Sequence, residues 1–167
     1  MFNPDGTEAE MCGNGIRCFA KYVLEHKTVI ASNDSITVET NAGVRTIQPI
    51  WENGHVTGAR VDMGHPKLRP PEIPVELPSP TNAEAILDHP LQIGNHELRL
   101  TFVSMGNPHA IAFIQTPVED FPINLVGPLI EHHPIFPQRT NFEVANQLSD
   151  NRFRVRIWER SVGETLA

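Results

Sequence analysis

Apolar residues recur at helical spacing near the start of the chain: Ile16, Phe19, Ala20, Val23 and Leu24 form one stripe, with Lys21, Glu25 and Lys27 between them. The spacing predicts a helix from about Gly13 to His26. The pattern then shortens to strand character. Ser35 to Thr40, Val44 to Ile50 and His55 to Asp62 read as strands, the last two joined through Glu52-Asn53-Gly54, a hairpin-type turn. Pro66, Pro70, Pro71, Pro74, Pro78 and Pro80 remove backbone donors over the next stretch, so neither a helix nor a central strand is expected there. Strand patterning resumes at Leu91 to Ile93, Glu97 to Val103 and Ala110 to Ile114, with Gly94-Asn95 turning the first pair. A short helix is expected near Asn124 to His132. Two last strands follow, Phe142 to Asn146 and Arg152 to Trp158, the second with Phe153, Val155 and Ile157 alternating inward. Helix mixed with antiparallel strands, met twice, is an α+β pattern. It divides the chain into lobes 1–62 and 63–167, with a crossing near Met63.

With 167 residues, 40% of them hydrophobic and 20% charged, the chain can bury a core as one ordinary domain or two small ones. A formal charge of -7 would repel a phosphate backbone, and Arg152, Arg154 and Arg156 read as one face of a strand, so no nucleic-acid partner is expected. The opening Met1-Phe2-Asn3-Pro4-Asp5-Gly6 has neither a basic nor an apolar leader segment, and no run of 18 apolar residues occurs, so the expectation is a soluble, cytosolic protein without a membrane partner. Two cysteines, Cys12 and Cys18, are too few to staple a fold of this size, and their spacing suits neither a redox pair nor zinc. If they matter, they matter as thiols. His132-His133 reads as a solvated helix end, and no metal site is expected.

Candidate chemistry begins at Cys12-Gly13-Asn14-Gly15, at the mouth of the first helix. A helix start leaves backbone N–H groups unpaired, and glycines let an anion approach them closely. The same field favours a thiolate. An anion cradle beside a reactive sulfur points to chemistry on the atom next to a bound carboxylate. The same residues also suit a buried N-cap and a tight turn, and spacing does not separate the two readings. Cys18 lies about 240° further round the helix at 100° per residue, so the two thiols cannot face one substrate, and Cys18 reads as core. Ser104-Met105-Gly106-Asn107-Pro108-His109 is a polar interruption between apolar strands, suited either to function or to a plain turn with a solvated histidine. Glu159-Arg160 closes the last strand, where the two side chains point to opposite faces; Arg160 suits a bidentate carboxylate contact or a surface ion pair.

The run from Phe2 to Cys18, FNPDGTEAEMCGNGIRC, strongly resembles the signature around the first catalytic cysteine of the diaminopimelate epimerases. Ser104 to His109 resembles a second signature of that family, and Glu159-Arg160 with Gly163-Glu164-Thr165 resembles the approach to its second cysteine. The resemblance implies two pseudo-symmetric lobes, each a mainly antiparallel sheet wrapped around a central helix, with a cleft between them. It also implies interconversion of LL- and meso-diaminopimelate by two cysteines on opposite faces of the α-carbon, without pyridoxal phosphate, other cofactor or metal. Carried over residue by residue, Cys12 is one of the two bases, while His109 and Glu159 support the cysteine chemistry. Gly13 and Asn14 hold substrate at the helix start; Asn3, Asn107, Asn141 and Glu159 match substrate-binding positions, and Arg160 matches the clamp on the distal carboxylate. A homodimer is expected of the intact family.

The resemblance covers essentially the whole sequence but only the middle of the family's chain. Its N-terminal strands would precede Met1, and its second cysteine and the helix that follows would come after Ala167. Both lobes are therefore expected to be incomplete, and the 167 residues by themselves to be inactive and of low stability. Two other readings fit the same cradle: a cofactor-independent racemase of the proline racemase type, and a non-catalytic anion-binding remnant. Asn14 and Arg160 favour diaminopimelate over proline.

Overall fold

The stripe of Ile16, Ala20, Val23 and Leu24 is buried along α1 (Gly13–Glu25), as its spacing requires. The computed structural model describes residues 6, 8, 11–32, 34–78 and 83–166. Within them the chain forms two compact units, Met1–His65 and Pro66–Ala167.

In the first unit α1 packs on a three-stranded antiparallel sheet of β1 (Ile36–Thr40), β2 (Gly43–Glu52) and β3 (His55–Val61). Met11, Ile36, Ile47 and Val56 complete the core under the helix. Both residues of the β2–β3 turn have positive φ, Asn53 at 51° and Gly54 at 80°, the requirement of a type I′ hairpin that Asn-Gly meets at least cost. The helix stops because Lys27 turns left-handed at φ 55°. Thr28 N–H then donates to Val23 O at 2.9 Å and Lys27 N–H to Leu24 O at 3.1 Å, which satisfies the last carbonyls in a Schellman arrangement.

The second unit is built on a six-stranded sheet in simple sequence order: β4 (His89–Ile93), β5 (His96–Ser104), β6 (Pro108–Phe113), β7 (Asn141–Ser149), β8 (Arg152–Glu159) and β9 (Gly163–Thr165). Every neighbouring pair is antiparallel except β6 and β7. A parallel pair needs a crossover, and the chain between these strands carries α2 (Ile123–Glu131). Ile123, Val126 and Ile130 of α2 meet Leu98, Leu100, Phe102, Phe142 and Val144 in the main core, with Ile73 and Val75 from the proline-rich segment. Among the described residues that segment holds one three-residue 3-10 turn, Pro70–Glu72, and bridges to the sheet at Lys67 and Ser104.

One expectation about facing is corrected. Phe153 and Val155 do not point into the core: they are 51% and 45% exposed. The inward side of β8 is that of Trp158, which packs on the main core, and of Arg156, whose Nη1 donates to the carbonyls of Val118 and Phe121 at 2.9 and 2.8 Å. A guanidinium satisfied by loop carbonyls fills the place that binary patterning gives to an apolar side chain.

Candidate active site

Cys12 is the N-cap of α1, in extended conformation, and its Sγ accepts from Gly15 N–H at 3.3 Å while its carbonyl accepts from Ile16 N–H at 2.9 Å. The thiol therefore occupies the place of the usual capping oxygen, at the positive end of the helix. It is partly exposed and opens onto a recess of about 690 Å³, whose lining includes Met11, Gly15, Phe19, Glu39 and Asn41. Asn14, next to Gly13 in the first turn, accepts a hydrogen bond through Oδ1 from Arg17 Nη2. Asn3 lies outside the described residues. Cys18, expected in the core, is exposed. Its position round the helix turns it from Cys12, as expected, but onto the side shared with Arg17 and Lys21, where it lines a separate recess of about 340 Å³.

In the second unit the parallel register sets His109 opposite Asn141 and Ile111 opposite Glu143. His109 Nδ1 lies 2.6 Å from Glu143 Oε1 and its Nε2 3.0 Å from Asn107 Oδ1. A carboxylate can only accept, so Nδ1 carries a hydrogen toward Glu143 and the ring plane is held from both ends. Glu143 is 8% exposed, and its Oε2 is buried without a hydrogen-bond partner among the described residues. The loop leading into β6 turns at Gly106, whose φ of 107° lies in the region that favours glycine. It is braced where Gly106 N–H donates to Ser104 Oγ at 3.2 Å.

Asn141, 5% exposed, ties two segments together. Its Nδ2 donates to Pro108 O at 3.0 Å, and its Oδ1 accepts from Arg160 N–H at 2.8 Å. Arg160 Nη1 donates to Gln138 O at 3.0 Å. Glu159 Oε1 accepts from Thr165 Oγ1 at 2.8 Å, so β9 braces the carboxylate that ends β8. β9 is in turn fixed by Glu164, which takes Arg156 Nε at 2.7 Å and Asn124 Nδ2 at 2.9 Å. The Arg156 hydrogen bond holds the Glu164 carboxyl below its usual range.

The two units thus carry two sets of expected residues: Cys12, Gly13 and Asn14 in the first, and Asn107, His109, Asn141, Glu159 and Arg160 in the second. Two supporting acids escaped sequence reading. Glu143 interrupts an otherwise apolar run in β7, and Glu131 ends α2; each is a carboxylate where a core or a helix terminus disfavours one, and that misfit was the available signal. Among the described residues no group of three or more metal-ligating side chains occurs, and no helix is long and apolar enough to cross a membrane.

The family model for diaminopimelate epimerase matches residues 1–69 and 101–167. The chain belongs to the diaminopimelate epimerase family. It is 47% identical over 169 residues to the diaminopimelate epimerase of Desulfovibrio desulfuricans, covering 100% of this chain and 58% of that relative. It is also 47% identical to the enzyme of Moorella thermoacetica and 49% identical to that of Pelotomaculum thermopropionicum, each over 167 residues that make up 100% of this chain and 57% of the relative. The chain therefore spans well under two thirds of the length of these epimerases. Among solved structures, a probable proline racemase from Agrobacterium radiobacter aligns with TM-score 0.67 at 16% identity, covering 96% of this chain and 48% of that one. A hydroxyproline epimerase from Agrobacterium vitis aligns with TM-score 0.66 at 17% identity and the same coverage. These likenesses establish that the chain shares its fold with the probable proline racemase and the hydroxyproline epimerase.

Proposed function

We propose that this chain carries the first catalytic cysteine and most of the substrate-binding groups of a diaminopimelate epimerase. The observation that carries the reading is the placement of Cys12 as the N-cap of α1, in a sequence 47–49% identical along its whole length to three epimerases of that name. A substrate carboxylate set against the N–H groups of the first turn brings its α-carbon beside Sγ. The Cys12 thiolate takes the α-hydrogen as a proton, leaving the electron pair on the α-carbon. A second thiol, which the family pattern places after Ala167, gives a proton to the opposite face, and the configuration inverts. Two bases are needed because one base returns the proton to the face it left. The resulting carbanion is stabilised by preorganised donors around the carboxylate rather than by an electron sink.

In this reading Asn107, Asn141 and Asn3 bind the substrate, Arg160 grips the distal carboxylate, and Glu159 and the His109–Glu143 pair support the thiol chemistry. The same reading carries a place in lysine and peptidoglycan synthesis, a cytoplasmic location, a homodimer and no nucleic-acid partner. The racemases that share the fold are 16–17% identical, and a proline substrate would leave Arg160 without a second carboxylate to bind.

The test is conversion of LL- to meso-diaminopimelate by the full-length protein, together with exchange of the α-hydrogen in deuterium oxide. Cys12→Ala is expected to lower conversion by about 10³-fold or more, the upper range for loss of a positioned acid or base. Undiminished conversion by Cys12→Ala would remove Cys12 from the mechanism, and a wild-type protein unable to convert the substrate would remove the reading.

A further inference from the structure

Glu131 stands where elementary electrostatics disfavours it. It is the last residue of α2, at the negative end of the helix dipole, and it is 3% exposed. Its two oxygens take up donors from one short segment: Oε2 accepts from Trp158 Nε1 at 2.7 Å and Oε1 from Ser161 N–H at 2.9 Å. Arg139 Nη1 lies 3.7 Å from Oε1 and donates to Ser161 Oγ at 3.0 Å. The segment so gripped is the turn after β8, closed by Val162 N–H donating to Glu159 O at 3.1 Å. Ser161 is held there at φ 65°, a conformation that a residue with a side chain keeps only when its surroundings enforce it. Arg160 is thus clamped on both sides: its own N–H goes to Asn141, and that of the next residue goes to Glu131.

Resting on the epimerase reading above, we propose that Glu131 is a positioning residue: it fixes the Glu159–Val162 turn so that Arg160 is aimed at the distal carboxylate of the substrate. A carboxylate suits the task because it offers two acceptors to two N–H donors, one at the end of β8 and one on the turn that follows. A glutamine of the same shape offers one acceptor and presents an amide N–H₂ to the other donor.

The experiment uses the full-length protein and its variants Glu131→Gln, Arg160→Met and the double variant. Glu131→Gln is expected to raise KM for LL-diaminopimelate about tenfold with kcat changed much less, the signature of lost uniform binding. In the Arg160→Met background the same substitution is expected to change KM less than about twofold, because the two residues act as one unit. An unchanged KM in Glu131→Gln, or effects that multiply fully in the double variant, would overturn the positioning role while wild-type activity still supports the epimerase reading. A wild-type protein without epimerase activity overturns that reading and this role with it. Should Glu131→Gln not fold, Trp158→Phe removes one donor to Glu131 and keeps an aromatic ring in place. The same KM shift and the same non-additivity are expected of it, and an unchanged KM would overturn the proposal.

Discussion

Gly127 faces the indole of Trp158 so closely that a Cβ added there would lie 2.6 Å from two ring atoms. The ring cannot give way without leaving Glu131, to which its Nε1 donates. Gly127→Ala is therefore expected to cost about 1–3 kcal/mol, the usual range for overpacking a filled site, and a urea unfolding curve of the full-length protein reads it as a lowered midpoint. A midpoint equal to wild type would show that the indole can move. Glycine in a helix interior ordinarily signals only weakness, so nothing in the sequence points from Gly127 to Trp158: the two meet by tertiary packing. The same holds for Glu143 and His109, neighbours only through the register of β6 against β7. That Cys12-Gly13-Asn14-Gly15 opens a helix was legible because the signals are local: a cap, a helix start and small residues in consecutive positions.

At the scale of elements, both described α-helices and every described strand but the three-residue β9 followed from periodicity, and what periodicity misassigned was a face. On β8 the apolar residues Phe153 and Val155 look outward, and Phe153 meets the exposed Phe113 of β6 edge-on at 6.2 Å. The inward arginine, Arg156, could be placed only by knowing the carbonyls of Val118 and Phe121 that receive it. Its bond to Glu164 fastens β9 to β8, and that bond gives the element a pH dependence. Glu164 is held below its ordinary 4.5 by Arg156, and Glu119 by its own backbone N–H and by Arg154. Groups depressed in the folded state contribute stability that is fully present above 4.5 and lost as pH falls through the lowered value. Glu164→Gln is expected to flatten the fall in unfolding midpoint on the acid side of pH 4.5, and an unchanged slope would remove the pair from acid stability. His133 acts in a higher window. Burial pushes it below its ordinary 6.5, so stability that is whole above 6.5 declines as pH drops from there toward the lowered value.

Over the whole molecule, the 167 residues contain two thiols, and the structure opens them onto different recesses. Residues 1–167 by themselves are expected to give no conversion of LL- to meso-diaminopimelate, since inversion needs thiols on both faces of one carbon. Turnover by that chain would show that Cys18, or a single thiol, suffices. The boundary between the two compact units falls at Pro66, where the proline-rich stretch begins, and each unit has its own run of helix and strand. The parallel pair among the described strands was not legible in the sequence, because nothing in the alternation of a strand records the direction of its neighbour. That pair has a kinetic consequence. Hairpins such as β2–β3 close through two residues, but β6 can meet β7 only after the long crossover bearing α2 has folded back, so its loop-closure entropy must be overcome first. His109, Glu143 and Asn141 are thus expected to assemble late, so that in stopped-flow refolding of the full-length protein strand circular dichroism returns before the geometry around the histidine, and simultaneous recovery would remove the argument.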